Sequence, residues 1–188
     1  MITPAPAMNE ELETERLLLR PVSADDLPRI AALMADYDVA KNLSTAPHPY
    51  ALADAEAFYA KHSESCARGE SHVFALGRKN DGAFIGKNGL HATDGVVEMG
   101  YWLGKPYWGQ GFGTEAARRV LEFGFNDLKL EKIVAGCFED NPASGRILSK
   151  LGFTATETIE RNCLARGQTV RCNMMVLTRD AFQRKQAA

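Results

Sequence analysis

The stretch Trp108-Gly109-Gln110-Gly111-Phe112-Gly113-Thr114-Glu115 decides how the rest of this sequence is read. Its three glycines at alternating positions keep side chains away from any group lying against the main chain. An apolar stripe follows at Ala117, Val120, Leu121, Gly124 and Leu128, the spacing of an amphipathic helix, so the glycines stand at a helix start. Backbone N–H groups converging at the positive end of a helix bind phosphate. A strand-to-helix turn without a ligand uses the same residues, and on this stretch alone both readings stand. A P-loop needs a lysine after its last glycine, and here Gly113 is followed by Thr114 and Glu115. A dinucleotide-binding turn needs a parallel strand-helix-strand unit, with an acidic residue about 20 positions on.

The segments on either side settle the fold class. Upstream, His72–Arg78, Phe84–His91 and Val97–Leu103 read as strands separated by Asn80-Asp81-Gly82 and Asp94-Gly95. Asp-Gly between apolar runs is a hairpin signal, so these strands are antiparallel, which weakens the dinucleotide reading. Before them, Arg16–Pro21 predicts a short strand, Ser23 a capped helix through Leu27, Ile30, Ala31 and Met34, residues 41–50 a loop, and Ala53–Cys66 a second helix. Downstream, Ile133–Phe138 is a continuous apolar run, expected to be a strand buried on both faces. Asn141-Pro142 opens a helix with Ile147, Leu148 and Leu151 on one face and Gly152 as its stop. Strands at Phe153–Glu160 and Thr169–Thr178 end the chain. The expected order β-α-α-β-β-β-α-β-α-β-β is an α/β chain of the α+β mixed-sheet kind. Residues 1–12 are expected to form a tail, with Met8 an alternative start, and residues 13–182 a single domain.

Composition removes other classes. The 188 residues are 45% hydrophobic and 24% charged, with 22 basic against 24 acidic side chains and a net charge of −2. That balance offers no basic footprint for nucleic acid and no polybasic membrane patch. Apolar runs fall short of a membrane span, and the N-terminus lacks the pattern of a secretory signal. Cys66, Cys137, Cys163 and Cys172 form no C-x-x-C, and His48, His62, His72 and His91 form no metal-binding pair, so no metal is expected. Scattered thiols suit a cytoplasmic protein.

Three segments in order carry a resemblance: Val97-Glu98-Met99-Gly100-Tyr101-Trp102-Leu103, Trp108 to Ala116, and Asn141-Pro142-Ala143-Ser144 through Leu151-Gly152-Phe153. Together they resemble the GNAT acetyltransferase superfamily, and more narrowly its RimJ/RimL-like protein N-acetyltransferases. Thr14-Glu15-Arg16 through Arg20-Pro21 and His48-Pro49-Tyr50 match that branch too, so the likeness runs over about residues 13–180.

The resemblance implies the GNAT fold, a mostly antiparallel mixed sheet splayed between its fourth and fifth strands (Val97–Leu103 and Ile133–Phe138) and flanked by helices. It implies acetyl transfer from acetyl-CoA to a primary amine, either a protein N-terminus or a small molecule such as a polyamine or antibiotic. A non-catalytic acyl-CoA-binding module is the alternative, and a homodimer is left open. Trp108, Gly109, Gln110, Gly111, Phe112, Gly113 and Thr114 would then hold the pyrophosphate, with Trp102, Leu103, Asn141 and Ser144 completing the CoA site. Glu98 is the candidate base and Ser144 the candidate acid, because Leu148 stands where many members carry a tyrosine. Trp108 likewise replaces the Gln or Arg of the general family turn. Asn42, His48 and Tyr50, in the loop 41–50, are the candidate acceptor contacts.

Overall fold

Glycine- and proline-bounded apolar runs become strands, and the strands assemble into one eight-stranded sheet in the computed structural model, which describes residues 11–186. The strands are β1 (Leu12–Glu13), β2 (Leu17–Pro21), β3 (Ser71–Arg78), β4 (Phe84–Thr93), β5 (Val96–Leu103), β6 (Lys132–Phe138), β7 (Thr154–Cys163) and β8 (Gln168–Thr178). They lie in the order β1-β2-β3-β4-β5-β6-β8-β7. Every neighbouring pair is antiparallel except β5 with β6. That parallel pair is in register only at Glu98 opposite Val134, so the two strands part beyond this point, as the splayed sheet requires. The β4–β5 hairpin turns at Asp94 and Gly95, whose φ values of 51° and 78° are those such a two-residue turn needs.

The helices cover both faces. They are α1 (Leu27–Met34), α2 (Tyr37–Ala40), α3 (Leu52–Ala67), α4 (Phe112–Glu122), α5 (Pro142–Leu151) and α6 (Arg179–Gln186). Helix α3 sets Phe58 against Lys87 of β4 on one face. On the other, α4 continues into a π-helical turn, Phe123–Asp127, that buries Phe123 and Phe125 and brings Gly124 against Leu90 and Ile133. The apolar stripe of α4 is buried on this face as part of the main hydrophobic core, whose removal from water stabilises the fold. No helix among the described residues is long and apolar enough to cross a membrane.

Several expectations need correction. Residues 1–10 of the expected tail lie outside the described residues, while Leu12 pairs with Leu19 in β1 and is buried, so the boundary at 12 falls inside a strand. The boundary at 182 falls inside α6, whose Phe182 packs on Phe125 with ring centroids 5.0 Å apart. No glycine or proline separates α6 from β8, and a single large apolar residue gives no periodicity to read. Nor is β6 buried on both faces. Ile133, Ala135 and Cys137 are buried while Val134 and Gly136 are half-exposed, because one face borders the parted strands.

Candidate active site

The glycine-rich turn leads out of β5 into α4. Gly109 and Gly111 have φ values of 72° and 84°, a conformation that glycine adopts without steric cost. A side chain at Gly109 would meet nothing within 4 Å, and one at Gly111 only the Arg16 guanidinium, at 3.3 Å. Gly113 differs: a side chain there would meet Ile147 at 3.2 Å, so this glycine lets α4 and α5 approach. Glu115 donates its amide to the Gly111 carbonyl at 3.1 Å, and the preceding N–H groups at the helix start have no intrahelical acceptor. An open, side-chain-free concavity lined by such N–H groups fits a phosphate.

Two kinds of contact hold the turn in shape. Locally, Trp108 Nε1 donates to the Leu103 carbonyl at 2.7 Å, and Gln110 Nε2 donates to the Pro106 carbonyl at 2.8 Å. The second kind is long-range and was not visible in the sequence. Arg16 donates to Glu115 Oε2 at 2.7 Å and to the Gln110 carbonyl at 2.9 Å, and its guanidinium lies 4.4 Å from the Phe112 ring centre. Glu115 Oε1 also accepts from the Thr14 hydroxyl at 2.6 Å and from the Arg16 amide at 2.9 Å. Burial alone would raise the Glu115 pKa, but these donors hold it below the ordinary glutamate value.

Strand alternation puts Glu98, Gly100 and Trp102 on one face of β5 and Met99 and Tyr101 on the other. Glu98 is not a free carboxylate: Arg161 of β7 forks onto it, with Nη1–Oε1 and Nη2–Oε2 distances of 2.6 and 2.9 Å. The arginine reaches β5 by lying over β6 at Gly136, where an added Cβ would stand 3.4 Å from its Nη1. Both members keep about a third of their surface exposed, 27% for Arg161 and 32% for Glu98. Beside Glu98, a side chain at Gly100 would meet nothing within 4 Å, so the strand carries an open hollow. His91 faces Glu98 across the β4–β5 ladder, and Lys87 faces Trp102. The Lys87 ammonium is buried 3.5 Å from the Phe58 ring centre, and burial pushes its pKa down to about 7.

On the opposite face, the Tyr101 hydroxyl hydrogen-bonds Ser144 Oγ at 2.8 Å. Burial pushes the phenol pKa up to about 12, so the group keeps its proton near neutral pH. Asn141 caps α5 by accepting the Ser144 amide at 3.2 Å, which positions the serine. Leu148 is fully buried in the core and does not reach this pair. Tyr101 thus places a phenol where sequence reasoning found only a serine, and strand parity with Met99 was the one available signal.

The acceptor candidates are less united. Asn42 donates to the Asp38 carbonyl at 2.8 Å, His48 stands edge-on to Tyr37 with ring centroids 5.0 Å apart, and burial pushes Tyr50 up to about 12. Among the described residues none of the three hydrogen-bonds Glu98 or Arg161. Their loop is tied instead to the β7–β8 connection: Ser44 accepts the Leu164 amide at 3.2 Å, and Lys41 accepts Arg166 Nε at 2.8 Å. Nearby acids are already engaged. Lys105 and Lys41 both pair with Asp38, lowering it to about 2, and Asp54 caps α3 through the Ala51 amide at 2.7 Å.

Comparisons with known proteins give the family and the fold. Residues 16–154 match the acetyltransferase (GNAT) domain family. An uncharacterised N-acetyltransferase, p20, of Bacillus licheniformis is 28% identical over 176 residues, covering 92% of this chain and 98% of that protein. Mycobacterium smegmatis RimJ, in a complex with CoA-disulfide, superposes with a TM-score of 0.82 at 18% identity, covering 97% of this chain and 96% of RimJ. RimL, a ribosomal L7/L12 α-N-protein acetyltransferase in complex with CoA, superposes with a TM-score of 0.80 at 18% identity, covering 92% of this chain and 99% of its own.

Proposed function

This chain belongs to the GNAT acetyltransferase family and is an acetyl-CoA-dependent N-acetyltransferase, and from that premise we propose that its acceptor is a polypeptide N-terminal α-amine. The observation that carries this reading is the fork of Arg161 on Glu98. Both oxygens of Glu98 already accept from Arg161, and an ammonium that approaches one also approaches the guanidinium, so an amine that arrives neutral is favoured. An α-amine, with a pKa of about 8, is about a tenth neutral at pH 7, whereas a lysine amine of about 10.4 is neutral in fewer than one molecule in a thousand. RimL, whose fold this chain shares, is by its name an α-N-protein acetyltransferase.

In this reading the N–H groups around Gly109–Thr114 hold the CoA pyrophosphate, with Arg16 as a cation alongside. Trp108 and Trp102 wall the cleft, and Asn141 flanks it. The unpaired edge of β5 near Leu103 offers a backbone N–H to the thioester oxygen. Acetyl-CoA, when bound, supplies the acetyl thioester. Glu98 orients the amine and takes its proton through a water. Ser144, hydrogen-bonded to the Tyr101 phenol, holds the proton that the departing sulfur needs. In this reading that pair stands in for the tyrosine missing at Leu148, whose absence kept a non-catalytic binding module as the alternative. The same reading makes the enzyme cytoplasmic.

The test is thiol release from acetyl-CoA over peptide N-termini, lysine side chains blocked at their α-amines, and polyamines. Peptide N-termini are expected to exceed the other classes by about tenfold or more in kcat/KM, following the difference in neutral amine. Faster turnover of a lysine side chain or a polyamine overturns the α-amine assignment.

A further inference from the structure

We infer that the Glu98–Arg161 pair is an acceptor-recognition device, selecting an α-amine that carries a carboxylate on the same or the next residue. The inference rests on the N-acetyltransferase reading and names its substrate class. Three observations lead to it. The pair is reachable from solvent, at 27% and 32% exposure, and lies at the point where β5 and β6 begin to part. Gly100, two residues along the same face, leaves an open hollow next to Glu98, and Gly136, having no side chain, lets the guanidinium lie across β6 to reach it. Finally, the face carries a second cation: Lys87, opposite Trp102 on the neighbouring strand, is buried against Phe58 and has no ion-pair partner among the described residues.

An acceptor ammonium that approaches Glu98 must come within a few ångströms of the Arg161 guanidinium, and the two repel. A polyamine or a lysine side chain brings only further positive charge. An acceptor with its own carboxylate removes that repulsion: its amine meets Glu98 and its carboxylate takes one edge of the Arg161 fork, which suits bidentate recognition. The partners exchange without leaving either charge unpaired. Two sources share this chemistry, a polypeptide with an acidic residue at its first or second position and a free amino acid. Of the acids near the acceptor loop, Asp38 is held by two lysines and Asp54 by a helix cap, so neither stands free to draw a polycation.

The experiment measures kcat/KM for matched acceptors: peptides with Asp or Asn at the first or second position, and free aspartate against its diamide. The wild-type enzyme is expected to favour each carboxylate over its amide by about tenfold or more. The peptide and free-amino-acid arms identify the source. Arg161→Gln should bring the ratio to within about twofold while leaving the acetyl-CoA-induced rise in melting temperature unchanged, and Arg161→Lys should restore part of it. Equal use of Asp and Asn acceptors by the wild-type enzyme overturns the inference, whether or not the variants fold. So does an Arg161→Gln enzyme that keeps the preference. Turnover of amide acceptors alone overturns the inference and leaves the α-amine reading standing. Absence of amine-dependent thiol release with every acceptor overturns both.

Discussion

In the proposed reading the turn from Trp108 to Glu115 and the pair of Glu98 with Arg161 serve one cleft, and they are assembled in opposite ways. The turn is a run of consecutive residues whose glycine conformations and helix start bring its N–H groups together. The pair joins residues 63 positions apart, on strands separated in the sheet by β6 and β8. One half is main chain and is fixed by the fold. The other is side chain and can be altered at a single position without moving a strand. Main-chain recognition suits a ligand that never varies, the phosphates of a common acyl donor. Side-chain recognition suits the partner that distinguishes one acetyltransferase from another.

The most severe way to break this comparison is Gly111→Val. A β-branched residue at a φ of 84° is a steric outlier, and its Cβ would stand 3.3 Å from Arg16. Acetyl-CoA affinity, measured by calorimetric titration, should fall about 30- to 100-fold, or about 2–3 kcal/mol. A variant that binds like the wild type would remove the turn from the cofactor site. Next in size is Tyr101→Phe, which removes the partner of Ser144 without emptying the site. A lost proton donor of this kind should lower kcat about tenfold or more, with little change in either KM. Because Tyr101 and Ser144 act as one unit, adding Ser144→Ala should cost little beyond the first change. Fully additive losses would show that the hydroxyls work separately.

A smaller effect probes the acceptor side. Gly100→Val fills the hollow beside Glu98 in a strand that tolerates branched residues, so the melting temperature should hold. The KM for the amine should rise about fivefold while that for acetyl-CoA stays level, as expected for loss of about 1 kcal/mol of binding. An equal rise in both would mean that the hollow belongs to the cofactor half.

Legibility in the sequence follows the same division. Glycine spacing located the turn, Asp94-Gly95 located the hairpin, and Asn141-Pro142 with Gly152 bounded α5, because each is a contact between near neighbours. The resemblance added Glu98 and Ser144 through motif position. It missed what each touches: Arg161 and Tyr101 stand 63 and 43 residues from their partners, and Arg16 stands 99 from Glu115. No periodicity encodes such pairs; only the sheet order brings them together. The insertion of β8 between β6 and β7 is of that kind, and it sets the route by which Arg161 crosses to Glu98. Burial misled once, at β6, where an apolar run borders a cleft instead of lying between two layers.

The smallest predicted effect asks how local the cofactor half really is. Glu115 accepts from Thr14 and from the amide and side chain of Arg16, so a residue of the turn's helix is held by the segment before β2. Its folded pKa lies below its unfolded value of about 4.3. The folded state therefore binds fewer protons through that range. The stability this confers is complete above the unfolded pKa and is lost as pH falls through the folded one. Glu115→Gln should thus cost about 1 kcal/mol in urea unfolding at pH 7, the net scale of an ordinary hydrogen bond, because the amide keeps one acceptor oxygen. The wild-type advantage should shrink as pH falls below the unfolded value and vanish once the folded group is protonated as well, because the protonated glutamate then offers Arg16 no more than the amide does. A constant gap between the two proteins across this range would show that shape and not charge braces the turn. The cofactor half would then be as local as its sequence makes it look.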